Sequence, residues 1–371
     1  MNMSKNNIAG EQEPKAPPSS KSPKSSPAAR IALLLGISVG LGAVGLATFL
    51  SLSGGDSMPS ELVTASLKAG MPQEMKHTWQ LVRGKHWQIT SGDVESRDAT
   101  DAREGNQGTC PSGMIEVEGN MKLDPSPNAY YDMRSVEELQ KTTCKRWINR
   151  DFPERCAEFD RDKWLAVSKE LETKPMHFCI DRFEYPNQKG AYPMIYVSWY
   201  EANELCAVSG KRLCSEHEWT FACEGEEAMP YPYGYVREPS ACIVDQIWRP
   251  YHESAMRPRD GAAAMVEMDR LWQGLASGSQ PRCKSSFGVY DMTGNIDEWT
   301  RSVRDGERPS ILKGGYWGPV RTRCRPTTRS HDENHMFYQQ GFRCCGDAGA
   351  ASDRQKPLND MMTAPLPREL R

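Results

Sequence analysis

Three carboxylates, Asp291, Asp297 and Glu298, fall close together in the stretch SSFGVYDMTGNIDEWTRS, Ser285 to Ser302. Between them, Gly294 and Asn295 permit a tight, partly left-handed turn. Such a turn can aim carboxylates and carbonyl oxygens at one point, which suits a hard cation such as calcium. The same residues also allow an acidic surface turn pinned by the aromatic anchors Phe287, Tyr290 and Trp299. A second group lies downstream. His331 and His335 are spaced i, i+4, with Glu333 between them. On a helix the two imidazoles would share one face, as a non-haem metal site requires; the alternative is a polar loop. Arg323, Arg325 and Arg329, close by, could hold an anionic group or simply be solvated.

Cysteine is the third chemistry-bearing residue type. The twelve cysteines are dispersed and even in number, a pattern that points to disulfides in an oxidising compartment. No Cys-x-x-Cys pair is present, so a zinc site is the weaker alternative. Cys242 and Cys283 flank a long stretch, Glu238 to Pro281. Pairing them would close that loop and restrict the unfolded chain strongly. The net charge of −3, from 46 basic and 49 acidic residues, lacks the basic excess of a nucleic-acid footprint.

These groups have to be positioned by the elements around them. Ser198 followed by Glu201 forms a capping box that opens a helix through the VSWYEANELCAVSG segment, with Gly210 as its stop. Ser215 and Glu218 form a second box, opening a helix through Cys223. Cys206 and Cys223 therefore fall on two short consecutive helices. Alternation predicts strands after Cys110 (Met114 to Val117), around His177, at Ile311 and at Gly341 to Cys344.

The chain before this domain has a different character. Residues 1–30 are Ser/Pro/Lys-rich and too polar to fold. The uncharged run Ile31–Leu52 would span roughly 30 Å as a helix, about the thickness of a bilayer core. Lys15, Lys21, Lys24 and Arg30 precede it, whereas Asp56 and Glu61 follow, so a retained anchor over 31–53 would leave the N-terminus cytoplasmic and the main domain periplasmic or extracellular. A cleaved signal peptide is the alternative, but the run is long for one and lacks a clear Ala-x-Ala end. Residues 54–109 are expected to be a linker and 110–346 the globular domain. Insertions are expected at about 121–175 and 238–282, and a disordered tail at 347–371.

Four motifs stand in one order: VSWYEANELC with GKRLCSEHEW, FGVYDMTGNIDEW, LKGGYW and GFRC. Together they resemble the formylglycine-generating enzyme, or sulfatase-modifying factor, family. The resemblance implies an irregular α+β fold related to C-type lectins, with little regular secondary structure. It implies a calcium site using the side chains of Asp291 and Glu298 and the carbonyls of Gly294 and Ile296. It also implies the disulfides Cys206–Cys344 and Cys223–Cys324. One departure stands out. The oxidase members carry two further cysteines between the Gly-Gly-aromatic strand and the position of Cys324, and bind copper(I) there, a soft ion that prefers thiolates. Here that segment is YWGPVRTR, Tyr316 to Arg323, without cysteine, so copper is not expected. The expectation is a membrane-tethered, extracytoplasmic binding or scaffold member, stabilised by calcium and disulfides, that recognises an envelope protein, a peptide or a glycan. The alternatives are a metal-dependent oxidoreductase using His331, Glu333 and His335, or a sulfatase activator using Cys324 with Cys344 or Cys345.

Overall fold

A computed structural model describes residues 75–92, 109–125, 135–151, 154–304 and 306–349. The apolar run Ile31–Leu52 lies outside the described residues. Among the described residues, no helix is long and apolar enough to cross a membrane.

Two small sheets meet at the centre. In the first, β3 (Met114–Lys122) pairs antiparallel with β6 (Thr173–Asp181) along its whole length, from Met114 opposite Asp181 to Lys122 opposite Thr173. Met114, Val117 and Met121 turn inward, so the apolar positions of this strand find the core. On the other side of β6 lies β12 (Cys344–Asp347), followed by the short β7 (Arg212–Leu213), giving the order β3-β6-β12-β7. The second sheet has the order β10-β9-β8-β11, built from β8 (Asp297–Arg301), β9 (Ser310–Lys313), β10 (Thr327–Thr328) and β11 (Gln340–Phe342). β8 and β9 are antiparallel, whereas β11 runs parallel to β8. Because β11 ends at Phe342 and β12 begins at Cys344, Arg343 is the single residue joining the two sheets.

The two capping boxes form as the sequence predicts. Ser198 and Glu201 open the helix Trp199–Val208, which ends before Gly210 at φ 69°. Ser215 and Glu218 open Glu216–Glu224, which ends at Gly225 with φ 68°. At each box the Ser hydroxyl accepts from the third helical N–H while the Glu carboxylate accepts from the Ser N–H, satisfying donors a helix start would otherwise leave open. The first helix packs Leu205 and Cys206 with Trp299, Leu312 and Phe342, while the second packs Trp219 and Phe221 with Phe178, Val289 and Met292. The two together form the core between helices and sheets.

The surrounding chain carries more regular structure than its sequence suggests, and the linker expectation needs correction. The supposed linker 54–109 contains a hairpin, β1 (His77–Val82) with β2 (His86–Gly92). Trp79 and Trp87 on it are buried, and Asp269 holds its start by accepting from the backbone N–H of Lys76 and His77 and from the Trp79 indole. Within the expected insertion 121–175, the described residues hold α1 (Val136–Lys141), the hairpin β4 (Cys144–Asn149) and β5 (Arg155–Phe159), and α2 (Arg161–Val167). The stretch 238–282 carries a further helix, Ala262–Leu271, whose Glu267 accepts from the His252 N–H and so ties that loop to the helix.

The twelve cysteines form six disulfides, with none free. Cys206–Cys344, Cys223–Cys324 and Cys242–Cys283 are among them. The others are Cys110–Cys179, Cys144–Cys156 and Cys214–Cys345.

Candidate functional site

The acidic turn is left-handed at Asp291, Gly294 and Asn295, with φ of 56°, 78° and 57°. It is not a surface feature. Asp291, Asn295, Asp297 and Glu298 are all buried. The backbone at Gly294 is wedged so tightly that a Cβ there would lie 2.4 Å from the Ile243 carbonyl oxygen. The aromatic anchors hold the turn from several sides: Phe287 lies against Phe221, Tyr290 stacks on Phe183, and the Trp299 indole donates to the Val197 carbonyl.

Burial sets the electrostatics of this turn. Asp291 accepts from the Gly278 N–H at 2.6 Å, yet burial pushes its carboxyl up to about 7. Glu184, fully buried beside it and bonded to Ser277 and Asn295, is raised by burial and then by the charges of Asp291 and Glu298. Burial also raises Asp297, against the Arg321 guanidinium at 3.0 Å.

Glu298 is neutralised from within the protein. Arg343 donates to both its carboxylate oxygens, Nε to Oε2 and Nη2 to Oε1, each at 2.7 Å, and the Trp219 indole donates to Oε2 at 2.8 Å. Both oxygens are therefore committed. Among the described residues, no group of three or more His, Cys, Asp or Glu side chains is arranged to hold a metal ion. Of the donors expected for calcium, Glu298 is thus paired with Arg343 and Trp219, and Asp291 accepts from the Gly278 N–H.

The second candidate group is only partly assembled. His331 and His335 come together, but their rings stack at 3.9 Å and 13° instead of converging edge-on, and the segment is turn, not helix. Glu333 points elsewhere, accepting from the Ser310 hydroxyl at 2.8 Å. Burial, with Arg321 nearby, lowers His331 and favours its neutral form. The three arginines expected to bind an anion are spent on carboxylates: Arg323 on Glu137, Arg325 on Glu224, and Arg329 on Glu216 and Glu307. Arg325 and Arg329 line a cleft of about 790 Å³ together with Asp124, Glu216, His217 and Lys313. Lys313 is buried against the Trp219 ring, donates to the Arg325 carbonyl and Thr327, and is lowered to about 8 by burial.

The segment after Gly315 lies on a different construction, an aromatic track. Trp317 is buried between Trp272, Tyr316 and Tyr338. Tyr338 leads to Phe337, which meets His335 on one side and the partly exposed Tyr251 on the other. The loop is fixed to the acidic turn and to the 238–282 stretch: Trp317 N–H donates to the Asn295 carbonyl, and its own carbonyl accepts from Gln246. Sequence reasoning missed Arg343 and Lys313. Arg343 stands inside the GFRC motif, and a charged residue in a strand otherwise apolar was the signal that its side chain has a buried partner.

The chain matches the family described as "Sulfatase-modifying factor enzyme 1-like domain" over residues 137–348. It is 30% identical over 171 residues to "Inactive C-alpha-formylglycine-generating enzyme 2" of Mus musculus, covering 44% of this chain and 51% of that protein. To "Formylglycine-generating enzyme" of Mus musculus it is 26% identical over 176 residues, covering 42% and 44%. It thus spans about half the length of the curated relatives it matches. Among solved structures, PvdO from Pseudomonas aeruginosa covers 63% of this chain and 94% of its own, at 15% identity and a TM-score of 0.37.

Proposed function

The chain belongs to the sulfatase-modifying factor enzyme 1-like family, and from that premise we propose that it is a binding or scaffold member, not a thiol oxidase. One observation carries this reading: Cys324 is bridged to Cys223, and no cysteine stands between Tyr316 and Arg323. A copper(I)-thiolate centre needs two free thiolates at one point, and this segment supplies aromatic rings and guanidinium groups instead. The likeness to a relative named inactive supports the same view. The alternative activator, built on Cys324 with Cys344 or Cys345, would have to open a buried disulfide first.

In this proposal the partner is an envelope protein, peptide or glycan, received on the face that carries Tyr251, Tyr316 and Phe337. Six disulfides favour an extracytoplasmic site of action, with residues 31–53 as the tether and the N-terminus cytoplasmic. Calcium has no assigned ligand set here, because Glu298 is committed to Arg343 and Trp219.

The test is a direct assay of the full chain with a cysteine-containing sulfatase peptide, copper(I) and oxygen, read by mass spectrometry. The expected result is no conversion of cysteine to formylglycine and no free thiol on the native protein. Turnover, or a titratable thiol at Cys324, overturns the proposal.

A further inference from the structure

We propose that the Arg343 guanidinium is the built-in structural cation of the acidic turn, filling the role that a bound calcium ion would otherwise have. Guanidinium has five N–H donors in a planar fork. In Arg343 every one is placed. Nε and one Nη2 proton go to Glu298, and the other Nη2 proton goes to the Tyr290 carbonyl at 2.9 Å. Nη1 reaches the Asp181 carbonyl at 3.2 Å and the Arg182 carbonyl at 3.5 Å.

The acceptors are one bidentate carboxylate and three backbone carbonyls, drawn from three separate parts of the chain. That is the kind of all-oxygen shell a hard cation collects. Here the positive charge is covalently attached, and it sits where the two sheets join. Arg343 is fully buried and Glu298 equally so. A buried ion pair of this kind is tolerable only when its remaining donors are satisfied, and here the three carbonyls satisfy them. The arrangement also explains how an irregular turn with several buried carboxylates is held: Arg343 offsets the charge of Glu298 and ties it to the Tyr290 and Asp181 carbonyls.

The experiment measures calcium content and thermal stability of the full chain in EGTA and in millimolar calcium, for wild type and for Glu298→Gln. The expected result is the same calcium content and the same chelation response in both proteins. Calcium bound by wild type and lost in Glu298→Gln, with a chelation-dependent fall in Tm that disappears in the variant, overturns the proposal. A second arm uses Arg343→Met, expected to lower Tm by roughly 6–10 °C through the charge left unpaired. The double variant Glu298→Gln/Arg343→Met should recover part of that loss. Additive losses in the double variant overturn the pairing. Should Arg343→Met not fold, the calcium measurement on wild type and Glu298→Gln still decides.

Discussion

Asp291→Asn isolates the electrostatic cost of the acidic turn. Asp291 is buried, its backbone is left-handed, and its Oδ2 accepts from the Gly278 N–H. Asparagine tolerates that backbone and keeps an amide oxygen for Gly278, so the substitution removes a titration with little change in packing. Burial raises the carboxyl from 3.8 to about 7. A carboxyl whose folded pKa is raised contributes fully to stability below its unfolded pKa, and that contribution is lost as pH climbs towards the folded one. The window therefore runs from about pH 4 to about pH 7. At 1.36 kcal/mol per pKa unit the ceiling is about 4 kcal/mol, shared with Glu184, which is raised in the same direction. For a domain of this size that corresponds to a Tm change of roughly 8 °C or more. Thermal unfolding of the full chain in EGTA, from pH 5 to 8.5, should show wild-type stability falling with pH. The Asp291→Asn variant should show a flatter profile, with a gain of about 1.5 kcal/mol at pH 5 that grows to about 4 kcal/mol at pH 8. Wild-type stability that rises through this window refutes the reasoning. So does a variant that loses as much at pH 8 as at pH 5, because a charged, ligated Asp291 would then be the stabilising form.

Gly294→Ala should destabilise by about 2–5 kcal/mol, combining a left-handed backbone with overpacking against Ile243 and Val244. The control Gly210→Ala, also left-handed but facing open space, should cost only about 1–2 kcal/mol; urea midpoints compare the two. Replacing Cys223 and Cys324 together by serine should cost about 3–4 kcal/mol by loop-closure entropy, because the intact Cys214–Cys345 bridge already shortens the 101-residue loop; the loss in Tm under non-reducing conditions measures it.

Much of the fold was legible because its signals are local. A capping box is complete within four residues, so Ser198–Glu201 and Ser215–Glu218 placed both helices correctly. The left-handed turn was likewise written into Gly294 and Asn295, and the long loop between Cys242 and Cys283 suggested its own closure. What escaped depends on partners far away in sequence. The hairpin at His77 to Gly92 looked like linker because its buried Trp79 and Trp87 bond to Asp269 and to the Arg259 carbonyl, far downstream in sequence. Arg323, Arg325 and Arg329 looked like an anion site because their carboxylates, Glu137, Glu224 and Glu216, lie more than 100 residues away. The guanidinium that pairs with Glu298, Arg343, is likewise 45 positions downstream. A sequence shows which charges are present, but only the fold pairs them.

The same long-range pairing accounts for how this fold can keep its shape while one of its loops changes. Three consecutive residues at the seam between the sheets each hold a different segment. Arg343 gathers Glu298, Tyr290 and Asp181; Cys344 holds Cys206 on the first central helix; Cys345 holds Cys214, just ahead of the second. None of these ties passes through Tyr316 to Arg323. That segment makes backbone contacts to Asn295 and Gln246, packs Trp317 inward and pairs Arg321 with Asp297 and Arg323 with Glu137, but the three ties of the seam are in place without it. Its half-buried positions Pro319 and Val320 can therefore change without breaking the seam, which is the physical condition for a family in which function resides in a site grafted onto a common frame.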